Sequence, residues 1–356
     1  MTAVAIAGRG LACALGLDLA SAVAALRTGA GVPQKRLLRG GLGGEFPYCA
    51  IPLREPHWNR RAREIVMRVA EEAGARNAVD GVLFVATSSY DIGAAENTAE
   101  DAALGDYPSF ADRLRGWLGW RGPVYLINTG CTSGLNALLA AHALLSGHEA
   151  EEALVLGVEL ENRLTLTGFA AMQLLSRSAC KPFGAHRDGL VLGEAVAALR
   201  LSARAGSRWQ LMGGASLVDG SQPTGQSGPA IVDMYQRALS ASGFAASGVD
   251  LIKVQAAGGI TSDRTEAEAL RESFARVPAL VSLKAALGHA MGASGVAEVA
   301  LLSACLECGA WPTYSDAVDT GLGVELAVAP PAGVRRLLAT ILGFGGSHAT
   351  VAIECR

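Results

Sequence analysis

Residues 127–134 read Ile-Asn-Thr-Gly-Cys-Thr-Ser-Gly, between a short apolar run and a long segment rich in alanine and leucine. An apolar run, small turn-forming residues and a helical pattern indicate a strand, a tight turn and a helix, with Cys131 in the turn. No charged residue lies between Arg121 and Glu149, but the polar residues and glycines there disfavour a membrane span. The stretch therefore predicts a helix buried on all sides inside a soluble protein, as in a layered α/β fold.

The same alternation of strands and helices extends over the 356 residues. Predicted strands cover 82–85, 153–158, 251–256 and 280–283, and predicted helices cover 60–74, 133–146, 229–242, 263–274 and 293–307. Near the end, apolar runs at 337–342 and 349–353 flank a glycine-rich turn, which predicts a hairpin. No low-complexity linker divides the chain, so we expect a single unit with internal halves.

The composition fits a cytoplasmic protein with a large buried interior. Half of the residues are hydrophobic, 18% are charged and the net charge is −3, so neither nucleic acid nor a membrane is expected as a partner. The seven cysteines are scattered and no signal sequence begins the chain, so we interpret them as reduced thiols. Cys305 and Cys308 have no second ligand pair nearby, and we predict no metal site.

Cys131 is the first candidate for chemistry. A cysteine at a helix N-terminus lies at the positive end of the helix dipole, beside free backbone N–H groups, and both effects lower the thiol pKa. Its small neighbours leave the sulfur reachable and its own N–H available to an oxyanion. We therefore favour a nucleophile over the alternative, a buried structural cysteine.

Two further glycine-framed segments carry candidate residues. Residues 282–295 place His289 between glycines at a predicted helix start, where an imidazole would polarise a thioester carbonyl; a core histidine is the alternative. A turn and helix there repeat the pattern around Cys131, which suggests equivalent positions in two halves. Residues 343–348 read Gly-Phe-Gly-Gly-Ser-His, and because no Gly-Lys-Ser/Thr follows, a nucleotide site is not expected.

Together these segments resemble the β-ketoacyl synthase family, the condensing enzymes of fatty-acid and polyketide assembly. Residues 181–195, Lys-Pro-Phe-Gly-Ala-His-Arg-Asp-Gly-Leu-Val-Leu-Gly-Glu-Ala, are similar to a specific signature of that family, and residues 4–29 resemble its first strand and helix. The resemblance covers nearly the whole chain and implies a thiolase-like αβαβα fold of two pseudo-duplicated halves. We expect residues 1–200 to carry the nucleophile and residues 201–356 to carry the histidine and the glycine loop. The N-terminal half most resembles synthases of aryl polyene pathways.

The resemblance also implies roles for individual residues. The family's nucleophile, active-site lysine, second histidine and gatekeeping phenylalanine fall on Cys131, Lys284, His289 and Phe344. The backbone N–H groups of Cys131 and Phe344 would form the oxyanion hole. Implied substrate-binding positions are Phe169, Thr261, Gly345 and His348. No bound cofactor is implied, because phosphopantetheine arrives on an acyl carrier protein.

Two positions depart from the family pattern. In the segment 254–261, Ala257 stands where the family has its first catalytic histidine, and the following loop is shortened. His348 stands where asparagine is usual. Two imidazoles hold the malonyl thioester in the family, and loss of one preorganised donor costs on the order of 10²–10³ in rate. Whether His348 compensates is left open, and a structural role for it is favoured.

Four functions follow as hypotheses. The leading one is a partner of a complete ketosynthase, a second subunit that shapes the acyl tunnel as a chain-length factor does; a homodimer is the other assembly. The family's dimer segment corresponds to residues 159–172. The second hypothesis is an acyltransferase that forms a thioester on Cys131 without decarboxylation. A thiolase ranks lower because the loop 343–348 lacks a second cysteine, and a carrier-protein scaffold without chemistry is the last.

Overall fold

The computed structural model describes residues 3–29, 34–38, 44–96, 107–204, 206–221 and 225–356. Its strands are β1 Val4–Cys13, β2 Gln34–Leu38, β3 Gly44–Cys49, β4 Val82–Ala86, β5 Val124–Ile127, β6 Glu152–Glu159, β7 Leu192–Gly193, β8 Ala195–Ser202, β9 Trp209–Val218, β10 Leu251–Lys253, β11 Ala279–Val281, β12 Arg336–Leu342 and β13 Ser347–Cys355. Its α-helices are α1 Leu19–Thr28, α2 Trp58–Glu72, α3 Ile92–Ala95, α4 Tyr107–Leu118, α5 Ser133–Ser146, α6 Arg163–Ala171, α7 Gly228–Ser242, α8 Ile260–Ser273, α9 Lys284–Leu287 and α10 Ser294–Cys308.

The strand order repeats between the two halves of the chain. The large sheet runs β11-β10-β12-β13-β9-β1-β8-β6-β4-β5, and β2, β3 and β7 form a small separate sheet. In each half three strands at the outer edge of the sheet pair in parallel, β11, β10 and β12 in one half and β5, β4 and β6 in the other. Two antiparallel strands follow toward the centre of the sheet, β13 and β9 in one half and β8 and β1 in the other. Strands β1 and β9 join the halves through the pairs Val4–Leu211 and Ala5–Gln210. The predicted pseudo-duplication is therefore visible in the topology.

Helices α5 and α10 form the layer between the two halves of the sheet. Each contacts strands of both halves, and the two helices contact each other. Their approach depends on glycine: a β-carbon on Gly295 would lie 2.8 Å from the backbone nitrogen of Leu135, and one on Gly134 would lie 3.0 Å from the nitrogen of Val296. Helices α2 and α4 cover one outer face, and α7 and α8 cover the other. The predicted αβαβα layering is confirmed.

Most predicted elements lie where the pattern placed them, with one instructive difference. The predicted strand 251–256 ends at Lys253: the N–H of Val254 still donates to the carbonyl of Val281, but from Gln255 onward the backbone N–H groups leave the sheet and donate to carboxylates of α8. Glu266 accepts from Gln255 and Ala256, each at 2.7 Å. The division predicted after residue 200 falls within β8, close to its end at Ser202, and stays a prediction.

One helical stretch has the length and hydropathy of a membrane span. It covers Met291–Cys308, including α10, with a mean hydropathy of 1.4, but 78% of it is buried inside the protein. A buried apolar helix is what the middle layer of this fold requires, because both of its faces meet sheet. The stretch 121–149, which the composition also brought into question, contains α5, and seven of the fourteen residues of this helix are buried. The expected burial on all sides is therefore wrong for α5.

Candidate active site

Cys131 lies in the turn between β5 and α5, two residues before the helix begins. Gly130 has a φ of 61°, in the left-handed region, which lets the chain reverse directly before the cysteine. The hydroxyl of Ser133 closes the turn: it donates to the carbonyl of Gly130 at 2.6 Å and accepts from the N–H of Thr129 at 2.9 Å. The sequence of small polar residues thus builds a rigid seat for the sulfur.

His289 meets Cys131 from the other half of the fold. Its Nε2 lies 3.1 Å from Sγ of Cys131, and its Nδ1 lies 3.1 Å from Oγ of Ser294, the first residue of α10. One tautomer satisfies both contacts: Nδ1–H donates to Ser294, and Nε2 accepts the thiol proton. The backbone of His289 is held by the segment 181–195, since its N–H donates to the carbonyl of Val191 at 2.7 Å.

The expected pKa of Cys131 was wrong in direction. Burial raises the pKa of its thiol from 9.0 to about 11, although Lys284 and the backbone N–H groups of Phe344 and Cys131 itself act in the lowering sense. Desolvation of a thiolate outweighs the helix terminus because Cys131 is only 4% exposed. The resting residue is therefore a neutral thiol, and a base must take its proton as the nucleophile forms.

His289 has the properties of that base. Burial, and then the positive charges of Lys284 and Lys253, hold the pKa of its imidazole well below 6.5. The ring is therefore neutral at physiological pH and has a free nitrogen lone pair. Cys131 and His289 form a neutral hydrogen-bonded pair, poised for proton transfer when an electrophile arrives.

Lys284 belongs to a fully buried cluster of three charges. Its ammonium contacts Oε1 of Glu298, and the ammonium of Lys253 contacts Oε2 of the same carboxylate. Burial foremost lowers the pKa of Lys253 from 10.5 to about 8. Lys284 thus acts on Cys131 and His289 through its charge, and its ammonium is bound to Glu298 rather than pointing at the sulfur.

The glycine loop lies directly against the cysteine turn. The hydroxyls of Thr132 and Ser347 are 2.7 Å apart, and they tie the two segments together. Gly345 has a φ of 73°, which turns the backbone after Phe344. The Phe344 side chain is 37% exposed, and its ring centroid lies 5.6 Å from that of Phe169 in an edge-on contact.

Ala257 lies beside the pair, on a loop fixed by α8. Asp263 accepts hydrogen bonds from the N–H groups of Phe183, Ala257 and Gly258. The loop therefore keeps a defined backbone even though it carries a methyl group where the family has an imidazole. This rigidity leaves the space beside His289 open instead of letting the loop collapse into it.

A cavity of about 280 Å³ opens onto the cysteine and the histidine. Among the predicted site residues, Cys131, His289, Phe344 and Thr261 line it. Gly345 and Phe169 adjoin it through Phe344 rather than lining it. His348 is fully buried in β13 and is not among the lining residues. The structure thus gathers Cys131, His289 and Phe344 at one cavity, places Lys284 behind them against Glu298, and leaves His348 apart.

Several side chains of the site escaped the pattern analysis. Lys253 interrupts the apolar run Leu-Ile-Lys-Val, and Glu298 lies within an alanine- and leucine-rich helix. A charged residue inside an otherwise buried element was the available signal, since such charges are rarely buried without a partner. Gln255 and Ser294 carried no comparable signal. Within the described residues, no cluster of three or more histidine, cysteine or acidic side chains is arranged to hold a metal ion.

A duplicated sheet, two central helices and a cysteine–imidazole pair contributed by opposite halves define a thiolase-like fold. Two family models match the sequence: the β-ketoacyl synthase N-terminal domain over residues 86–205 and the β-ketoacyl synthase C-terminal domain over residues 211–317. The matched segments cover more than half of the chain. This chain belongs to the β-ketoacyl synthase family.

Similar proteins extend this assignment. The structure of the ketosynthase ApeO in complex with its chain length factor ApeC from Xenorhabdus doucetiae matches with a TM-score of 0.86 at 19% identity, over 100% of this chain and 98% of that chain. The 3-oxoacyl-[acyl-carrier-protein] synthase 2 of Mycobacterium leprae is 30% identical over 251 residues, 63% of this chain and 59% of that protein. Erythronolide synthase EryA2 of Saccharopolyspora erythraea is 29% identical over 326 residues, 82% of this chain and 9% of that protein. The chain therefore spans less than two thirds of the length of the Mycobacterium leprae and Saccharopolyspora erythraea proteins.

Proposed function

We propose that this protein accepts an acyl group from a thioester onto Cys131 and passes it on. The observation that carries the proposal is the 3.1 Å contact between Sγ of Cys131 and Nε2 of His289 at the wall of a cavity. A purely architectural subunit has no need of a thiol, a neutral imidazole and oxyanion donors in register. Transacylation requires these three and nothing else.

The residues support each proton and bond change. His289 takes the thiol proton while the sulfur of Cys131 attacks the carbonyl carbon of the incoming thioester. The N–H groups of Cys131 and Phe344 stabilise the oxyanion that forms. The carbon–sulfur bond to the donor then breaks, and the departing thiolate takes the proton from His289. An acceptor thiol reverses these steps and releases Cys131.

Decarboxylative condensation is not part of the proposal. In the family two imidazoles hold the malonyl carbonyl, and Ala257 supplies none of that hydrogen bonding. The donor would be an acyl carrier protein with its phosphopantetheine arm, the kind of substrate named for the Mycobacterium leprae relative. We place the reaction in the cytoplasm, where such carriers and reduced thiols coexist.

Intact-mass analysis after incubation with butyryl-coenzyme A tests the proposal. We expect one butyryl adduct, mapped to Cys131, and a rate about 10²–10⁴ lower for His289→Gln. Cys308 is exposed and reports non-specific thiol exchange, so Cys308→Ala is the matched control and should leave the adduct unchanged. An adduct that persists in Cys131→Ala and disappears in Cys308→Ala would refute the proposal.

We further propose that the chain works as one subunit of a ketosynthase heterodimer and shapes the acyl tunnel there. Strand β5 lies at an edge of the large sheet, and Tyr125 on it is 50% exposed. Leu164 on α6 is 55% exposed, and Met172, the residue that follows the end of this helix, is 47% exposed. These apolar side chains are suited to an interface, whereas Phe169 on the same helix points inward.

Co-expression with a complete ketosynthase from the same organism tests the assembly. We expect a 1:1 complex in sedimentation, weakened by Leu164→Arg and unaffected by the matched substitution Val328→Arg at an exposed apolar position far from α6 in the chain. A stable homodimer that elongates an acyl carrier with malonyl units by itself would contradict both the heterodimer and the absence of condensation.

A further inference from the structure

Gln255 lines the cavity, and the oxygen of its carboxamide has no hydrogen-bond partner. Gln255 is 7% exposed, and its Oε1 is buried and unpaired. Its backbone N–H is bound to Glu266, so the residue is held firmly while its side chain is left free. A buried carboxamide without partners is costly, and native proteins rarely retain one without a ligand or water to satisfy it.

Gln255 lies close to the reacting groups. Gln255 and Ala257, two positions apart in the chain, both line the cavity together with Cys131 and His289. The missing imidazole at position 257 therefore leaves open space next to a free carboxamide.

The size of the cavity limits the ligand. A volume of about 280 Å³ is at the small end of ligand pockets, which typically measure about 300–1,000 Å³. This space accommodates a short acyl group next to Cys131, and Gln255 lies on its wall. A hydroxyl on such a carbon both donates and accepts, so it satisfies the carboxamide whichever of its ends faces the ligand.

We propose that Gln255 is a specificity-determining residue that binds an oxygen substituent near the thioester of the acyl group, in the space left by Ala257. The preferred ligand is thus a short 3-hydroxyacyl thioester rather than the matching unsubstituted acyl thioester. The inference rests on the proposed function, because it takes the cavity to be the acyl site. Thr261 and Phe344 lie on the wall of the same cavity and are not required to distinguish the two ligands.

Calorimetric titration of the Cys131→Ala protein with 3-hydroxybutyryl-coenzyme A and with butyryl-coenzyme A tests the inference. The two ligands differ by one hydroxyl, and the variant cannot be acylated at this position. We expect about tenfold tighter binding of the hydroxylated thioester, the effect of one hydrogen bond to a group otherwise left unpaired. In the double variant with Gln255→Met the ratio should fall to about one, and with Gln173→Met it should persist, because Gln173 lines the cavity but is exposed.

Equal affinities in the Cys131→Ala protein would overturn the inference, as would a preference that survives Gln255→Met or a failure to bind either thioester. The comparison of the two thioesters in the Cys131→Ala protein leaves Gln255 unchanged. Misfolding of a Gln255 variant therefore does not affect this test of the inference. Adduct formation on the unmodified protein separates the two proposals. An adduct without a preference removes the role of Gln255 alone, and a preference without an adduct removes the acyl-transfer function alone.

Discussion

Replacement of Glu298 by glutamine tests the buried charge cluster behind the active site. The carboxylate contacts two ammonium groups, those of Lys253 and Lys284, and all three side chains are at most 1% exposed. Glu298→Gln keeps the shape of the side chain and removes its charge. Two buried cations then face each other across a neutral carboxamide.

The expected loss of stability is large. Breaking a buried ion pair by removing one partner costs about 3–5 kcal/mol, because the remaining charge is left uncompensated. Here one carboxylate serves two lysines, so Glu298→Gln should reach at least that range. Lys253→Met should cost less, because it leaves the Lys284–Glu298 pair balanced and replaces an ammonium by an apolar group of similar length.

Chemical denaturation followed by tryptophan fluorescence and circular dichroism at pH 7 measures both variants. The free energy of unfolding should fall clearly further for Glu298→Gln than for Lys253→Met. Raising the pH should recover part of the loss in Glu298→Gln, since a lysine can then lose its proton. Equal effects of the two substitutions would show that the carboxylate does not balance the two lysines in the way described.

Three further predictions concern titration and chemistry at the site. Because the pKa of Lys253 is lowered from 10.5 to about 8, the folded protein releases this proton at a lower pH than the unfolded chain does. The free energy of unfolding, relative to that of Lys253→Met, should therefore rise by roughly 1 kcal/mol between pH 8 and 9. A difference between the two proteins that does not change with pH in denaturation experiments would contradict the shift. Alkylation of Cys131 by iodoacetamide should be slow at pH 7 and accelerate toward pH 11; Lys284→Met should slow it further, whereas Lys253→Met should not, because Lys284 is the lysine that lowers the pKa of Cys131. Ala257→His should restore a donor beside His289 and raise carbon dioxide release from malonyl-coenzyme A on the order of 10²–10³, and an unchanged rate in a folded, acylable variant would show that position 257 is not the missing determinant.

The fold and the reacting pair were accessible from the sequence for a physical reason. The turns around Cys131 and His289 need small residues, and the central helices need apolar residues where they pack against the sheet, so both leave marks in the residue pattern. The bounds of α5, Ser133–Ser146, match the predicted range for that reason. Backbone geometry at glycine and apolar packing along a helix are constraints on neighbouring residues, so the sequence alone reveals them.

Properties that depend on three-dimensional burial were not accessible in this way. The pKa of Cys131 was predicted to fall because helix dipole effects are visible in the sequence, whereas desolvation, which dominates, is not. The pairing of Lys253 with Glu298 joins residues separated by 45 positions, and no periodicity connects them. Gln255 likewise acquires its significance only from the cavity that surrounds it.

The glycine contact between α5 and α10 has a consequence for variation in this protein. Cys131 and His289 lie just before these two helices in the chain. The distance between the sulfur and the imidazole nitrogen therefore depends on the separation of the helices. A methyl group added at Gly295 would wedge the helices apart at Leu135, in the layer from which both reactive groups are presented. Substitutions deep in the interior, far from any ligand, would thus abolish the reaction at Cys131 at a smaller loss of stability than is needed to unfold the chain.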